Sequence, residues 1–240
     1  MDGAGRQFIE KSIIESQISI TGRLIDASNA TLFGTVISLA NGAEIPIIYK
    51  PIAGERPLWD FPDGNLASRE VAAYLINLEL SLQIVPFTIL RDGPYGFGAV
   101  QEWIEIDESF DVISYAQSND NQLRTVAFFD AIINNTDRKI GHLLMDATSQ
   151  LYAIDHGASL HADDKLRTVL WQWRGTELSE TELTQLQNLI SQKAEISEKL
   201  TELLTPVEIA ALFKRVEKLM KNRKFPEPSG DWPAVPWPPI

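Results

Sequence analysis

Two short clusters concentrate the chemistry of this chain. Asn134-Asn135-Thr136-Asp137-Arg138-Lys139-Ile140-Gly141-His142 is followed by Ile154-Asp155-His156-Gly157, so two carboxylates, two amides and two of the three histidines lie close in sequence. Between them, Leu143-Leu144-Met145 and Leu151-Tyr152-Ala153-Ile154 flank the polar Asp146-Ala147-Thr148-Ser149. That pattern predicts two strands joined by a turn, which brings both clusters to the same end of a hairpin. Two aspartates on adjacent loops can serve as a base and as a magnesium ligand beside one phosphate.

Each residue also has an ordinary explanation. Asp137 after Asn135-Thr136 suits an Asx turn at a helix C-terminus. Its neighbours Arg138 and Lys139 are cations in an acidic chain, and are expected to lower its pKa. Asp155 follows an apolar strand and precedes His156-Gly157, poorly placed for packing and well placed to hold a metal. Isolated histidines usually serve as structural hydrogen-bonding groups. Together, however, His142, His156, His161 and Asp155 offer enough ligands for zinc, which sustains a metallohydrolase alternative. Lys50 ends an apolar strand and Glu70 lies twenty residues later, early in a helix. A strand lysine facing a helix glutamate positions the phosphates of ATP, although a surface lysine is the commoner fate.

These residues need a framework, and the chain supplies one. Its 240 residues, 44% of them hydrophobic, allow one large or two small domains with a real core. Ile18 to Lys50 reads as three strands, with a turn at Asp26–Ala30 and the hairpin signal Asn41-Gly42. Leu66 to Leu82 has helical apolar spacing, and strands at Val85–Leu90 and Gly98–Ile106 follow around the turn Arg91–Gly96. A sheet of about five strands with one helix inserted after the third is the expectation. The second half reads as helical: a buried helix over Leu123–Ile133, then helices near 180–203 and 206–222. Capping boxes begin at Ser179 and Thr205, and Pro206 takes the first helical position. Phe225 to Ile240 is rich in proline and tryptophan and is expected to dock back as an extended tail.

Composition excludes some partners. The net charge of −12 repels nucleic acid and anionic lipid headgroups. The basic run from Lys214 to Lys224 is expected to supply helix-end cations. With no cysteine there is no disulfide or thiolate metal site. No apolar run reaches membrane-spanning length, and no signal core follows Met1–Arg6. The expectation is a cytoplasmic protein without stable membrane insertion.

The order of these motifs resembles that of kinases. Asp137, His142 five residues later and Asp155 eighteen residues later repeat the spacing of a catalytic-loop aspartate, a metal-binding asparagine and a second metal-binding aspartate. The Asn134–Arg138 and Ile154–Gly157 wording is similar to the atypical branch. It most closely resembles an actinobacterial phosphatidylinositol 3- and 4-kinase-like family, within the group that includes HipA-like and Fam20-type kinases. The resemblance spans residues 18 to 175, and the tail is also familiar from that family.

It implies an α+β fold, compact and two-lobed. A β-rich nucleotide-binding lobe would cover residues 1–104, a helical catalytic lobe 105–224 and a Pro/Trp-rich tail 225–240. It further implies ATP with Mg2+ or Mn2+ as cofactors. Lys50 would contact the α- and β-phosphates and Glu70 would hold it. Asp137 would orient or deprotonate the acceptor. Asp155 would bind the metal and His142 would take the second ligand position. Gln101-Glu102-Trp103-Ile104 would form the hinge that reads adenine, and the Ser28-Asn29 turn would help cover the phosphates.

Three departures bear on activity. No GxGxxG motif precedes Lys50, so other backbone amides must cover the phosphates. His142 stands where the family has asparagine, which favours manganese, a single metal or weakened catalysis. The chain after Asp155 is short, which reduces the substrate platform. An ATP- and metal-dependent phosphotransferase is the leading reading, its acceptor a protein, a small metabolite or a lipid. A pseudokinase acting as a nucleotide-binding module is the alternative.

Overall fold

The computed structural model describes residues 3–24 and 29–240. Helix α1 (Gly3–Glu15) precedes three antiparallel strands, β1 (Ile18–Arg23), β2 (Leu32–Ile37) and β3 (Glu44–Pro51). Helix α2 (Leu66–Glu79) is inserted next, and β4 (Thr88–Gly93) and β5 (Gly96–Glu102) complete a five-stranded sheet in the order β1-β2-β3-β5-β4. This is the sheet with an inserted helix expected from the apolar spacing. The expected turn at Asp26–Ala30 lies largely outside the described residues.

The β4–β5 hairpin is tighter than the sequence suggested. Pairing runs out to Gly93 opposite Gly96, leaving only Pro94 and Tyr95 at the tip. Tyr49 on β3 explains this: its hydroxyl donates to the Gly96 carbonyl, and a Cβ at Gly93 would lie 2.8 Å from its ring. The sheet continues beneath a turn that reads locally as a loop.

α2 starts sharply because the Asn65 side chain accepts from the Ser68 N–H. Its buried face, including Val71, Ala72 and Ile76, packs on β4 and β5. The helical part begins with the short α3 (Val112–Tyr115) and the buried α4 (Asn121–Ile133), capped at its start by Asp120. The larger of two apolar clusters among the described residues runs from Ile47, Tyr49 and Val100 under the sheet to Phe128, Leu212 and Phe213 among the helices, and a small one joins Ala67 and Val71 to Ala99. The expected small hairpin forms from β6 (Leu143–Met145) and β7 (Leu151–Ala153).

The helix expected over 180–203 is two helices, α5 (Glu180–Ser191) and α6 (Lys193–Leu200). They meet at Gln192, which closes the last turn of one and opens the next at φ −101° and ψ 14°. Both capping boxes form, at the start of α5 and of α7 (Pro206–Asn222). Arg215 of α7 is not a helix-end cation. It is buried and donates to the carbonyls of Ile132 and His161. The tail docks back: the Phe225 N–H donates to the Thr176 carbonyl, and farther on Trp171 Nε1 donates to the Ala234 carbonyl at 2.8 Å. Among the described residues no helix is long and apolar enough to cross a membrane.

Candidate active site

A cleft of about 620 Å³ lies between the sheet and the helical part, lined by Lys50, Glu70, Asp137, His142 and Asp155. β3 delivers Lys50 to it. The Lys50 ammonium donates to Glu70 Oε1 and, at 2.9 Å, to Asp155 Oδ1. Burial opposes its charge, but the carboxylates of Asp155 and Glu70 outweigh that and raise its pKa. Glu70 is almost fully buried, and its second oxygen accepts from the His156 N–H at 2.9 Å. The glutamate of α2 therefore holds both Lys50 and the segment that carries Asp155.

Asp155 stands at φ +60°, a backbone region that non-glycine residues seldom adopt and that concentrates at functional sites. Gly157 lets this segment approach α2, because a Cβ there would lie 3.1 Å from Leu66 Cβ. The Asp155 carboxylate is half-exposed at the cleft, and the Lys50 charge holds it well below the usual carboxylate range. His142 Nε2 lies 3.3 Å from Asp155 Oδ2. Burial lowers the His142 pKa to about 4, so the ring is neutral near pH 7, and its Nδ1 is buried without a hydrogen-bond partner. A neutral imidazole nitrogen and a carboxylate oxygen are both groups that could ligate a divalent cation.

Asp137 lines the same cleft. Its N–H donates to Asn135 Oδ1 at 2.9 Å, and Lys139 Nζ sits 3.0 Å from its carboxylate. The sequence suggested that Arg138 and Lys139 would lower its pKa. Instead burial raises it, and Lys139 only moderates the rise. Arg138 takes no part because it is fully buried and points the other way. Its guanidinium pairs with Asp130 of α4, donates to the Ile154 carbonyl at 2.7 Å and approaches His156 Nε2 at 2.8 Å. This buried hub joins the Asp137 loop to the Asp155 loop.

The same hub removes the zinc alternative. His156 is fully buried against Arg138 and Phe129, while His161 packs on Phe61 and accepts from the Asp163 N–H. Among the described residues no three histidine, aspartate or glutamate side chains gather as a metal cluster.

Gln101, Glu102, Trp103 and Ile104 all line the cleft. Gln101 spends its amide on Thr88, the Glu102 N–H donates to Phe87 and the Trp103 N–H to Pro46. Asn29 also lines the cleft, and its side chain accepts from the Arg56 N–H. Ser28 lies outside the described residues.

Sequence reasoning named Lys139 only as a cation beside Asp137, and the structure pairs the two. It missed Asp130, Glu55, whose carboxylate receives the first two N–H groups of α2, and the tail residues Pro238 and Ile240 at the cleft.

The architecture has known counterparts. The solved structure of the Golgi casein kinase matches with a TM-score of 0.56 at 13% identity, over 92% of this chain and 75% of that one. CtkA, a proinflammatory kinase of Helicobacter pylori, matches at 0.51 and 13% identity, over 88% of this chain and 94% of that one. Such likenesses establish an atypical-kinase fold and nothing of the chemistry. No family model matches the chain. The expected phosphatidylinositol kinase-like membership thus goes beyond these findings, which reach the kinase-like fold. In sequence, Protein Rv2133c of Mycobacterium tuberculosis is 35% identical over 263 residues, covering 94% of this chain and 93% of that protein. The chain belongs to the family of Protein Rv2133c.

Proposed function

We propose that this protein is an ATP- and divalent-metal-dependent phosphotransferase acting on an alcohol group. The observation that carries the reading is the Lys50 ammonium held between Glu70 and Asp155 in a cleft that Asp137 also lines. A lysine so held is preorganised to meet phosphate oxygens, and it needs no reorganisation when charge develops on them.

Each side chain then has one task. Glu70 orients Lys50. Asp137 accepts or orients the acceptor proton, and its raised pKa brings it nearer to the range where a base works well. Lys139 neutralises charge beside it. Asp155 and His142 would hold a cation, with phosphate oxygens completing its shell. When bound, such a cation supplies Lewis-acid stabilisation of the transferring group. The backbone of Ile104 would read the adenine edge. The resemblance to phosphatidylinositol kinase-like proteins adds a lipid to the candidate acceptors, alongside proteins and small metabolites.

A nucleotide-binding module without turnover is the second reading, favoured by His142 in place of an oxygen ligand. Asp137→Ala separates the two. Under the first reading, it keeps ATP affinity within a fewfold and lowers turnover by roughly 10² or more. Under the second, no acceptor or metal yields turnover in either protein.

A further inference from the structure

The tail crosses the surface beside Asp137 instead of ending at the helical core. Ala234 accepts from the Thr168 N–H at 3.1 Å and from Trp171 Nε1 at 2.8 Å. Pro239 accepts from the Ile140 N–H at 2.9 Å. These two backbone donors flank the candidate base, because Arg138 is bridged to Thr168 and Ile140 follows Asp137 by three residues. Upstream, Trp232 lies over Lys165, with Nζ 4.6 Å from the ring centroid, and Trp59 stacks near Trp232 at 6.4 Å. The strap is thus anchored at both ends of the loop that carries Asp137. Pro238 and Ile240 reach the cleft wall itself.

An extended polypeptide acceptor would need this same strip. Extended peptides bind by taking up free backbone donors and acceptors along a surface. Here the Ile140 and Thr168 N–H groups already have partners. The prolines of the strap carry no N–H, so those positions bring no donor that docking must satisfy. It is not an acceptor either, since residues 230–240 contain no serine, threonine or tyrosine. An acceptor then reaches Asp137 through the cleft of about 620 Å³, which it would share with the nucleotide.

We infer that residues 234–240 close the acceptor surface to polypeptide, so that the hydroxyl acceptor is a small molecule entering through the cleft. This rests on the phosphotransferase reading.

The test compares the full chain with a full-length Trp232→Ala/Pro236→Gly variant. Hydrogen exchange at the Ile140 and Thr168 amides reports loosening of the strap, and thermal melting reports the fold. Both proteins receive labelled ATP with Mg2+ or Mn2+ and one of three probes: a degenerate Ser/Thr/Tyr peptide library, a mixture of polyols, sugars and nucleosides, or phosphatidylinositol vesicles. The intact chain should label the small-hydroxyl mixture and leave peptides and vesicles at background. The loosened chain should gain peptide labelling by about tenfold or more, as expected if the open state is a minor fraction of the intact protein. Peptide or vesicle labelling by the intact chain overturns the inference. So does a loosened, folded, nucleotide-binding variant that gains no peptide labelling, or an intact chain that leaves the small mixture unlabelled. Absence of nucleotide binding by the intact chain removes the phosphotransferase reading itself, a result distinct from the others.

Discussion

Arg69 of α2 is ion-paired with Glu208 of α7, and both side chains are buried. The Arg69 guanidinium also donates to the carbonyls of Asp63 and Asn65. This pair ties the helix that carries Glu70 to the helical part of the molecule. The Lys50–Glu70 contact thus sits on a helix tied to the helical part by a buried ion pair.

Arg69→Leu leaves Glu208 buried without its cation, although Glu208 keeps the capping contacts to Thr205. Loss of one partner from a buried pair costs about 3–5 kcal/mol. The urea midpoint should fall accordingly, and nucleotide affinity should fall with it as α2 loosens. Unchanged stability would show that the pair does not anchor α2.

Two adjacent residues should behave in opposite ways. Arg138→Met strands Asp130 in the core, and should cost about 3–5 kcal/mol in denaturant unfolding. Asp137→Asn removes only a partly exposed contact to Lys139, and should change stability by less than about 1 kcal/mol. Equal effects would contradict the separation of the structural hub from the candidate base.

His142 gives a pH dependence with a definite sign. Burial lowers its folded pKa from 6.5 to about 4, so the unfolded chain binds the proton more readily between those values. Its contribution is complete above pH 6.5 and is lost as pH falls toward 4, on the order of 3 kcal/mol. In chelator-containing buffer, His142→Asn should flatten this part of the stability profile. The lowered pKa of His156 adds a slope of the same sign that stays in both proteins. Identical profiles for the two proteins would contradict the burial of His142.

Much of this site was legible because its signals are local. The apolar run before Lys50 and the Asn41-Gly42 turn marked the strand that carries Lys50, and apolar spacing marked α2. The hairpin pattern placed Asp137 and Asp155 at one end. What escaped the sequence depends on distant partners. Arg138 reads as a cation beside Asp137, yet Asp130, eight residues earlier on α4, captures it in the core. The direction of the Asp137 pKa shift went the same way, since burial is a property of the packed cleft. Arg69 and Glu208 lie 139 residues apart, and nothing local joins them. The tail's path to Ile140 is equally silent, because proline-rich segments carry no periodicity that names a docking surface.

The most direct measurement is calorimetric titration of ATP into the wild-type protein, Lys50→Met and Asp155→Asn, each with and without Mg2+ or Mn2+. The account predicts metal-dependent binding by the wild type. Lys50→Met should weaken it by about 10- to 100-fold, the scale of a lost hydrogen bond to a charged group. Asp155→Asn should abolish the metal dependence. A wild-type protein that binds no nucleotide, or one whose affinity neither substitution changes, would contradict it.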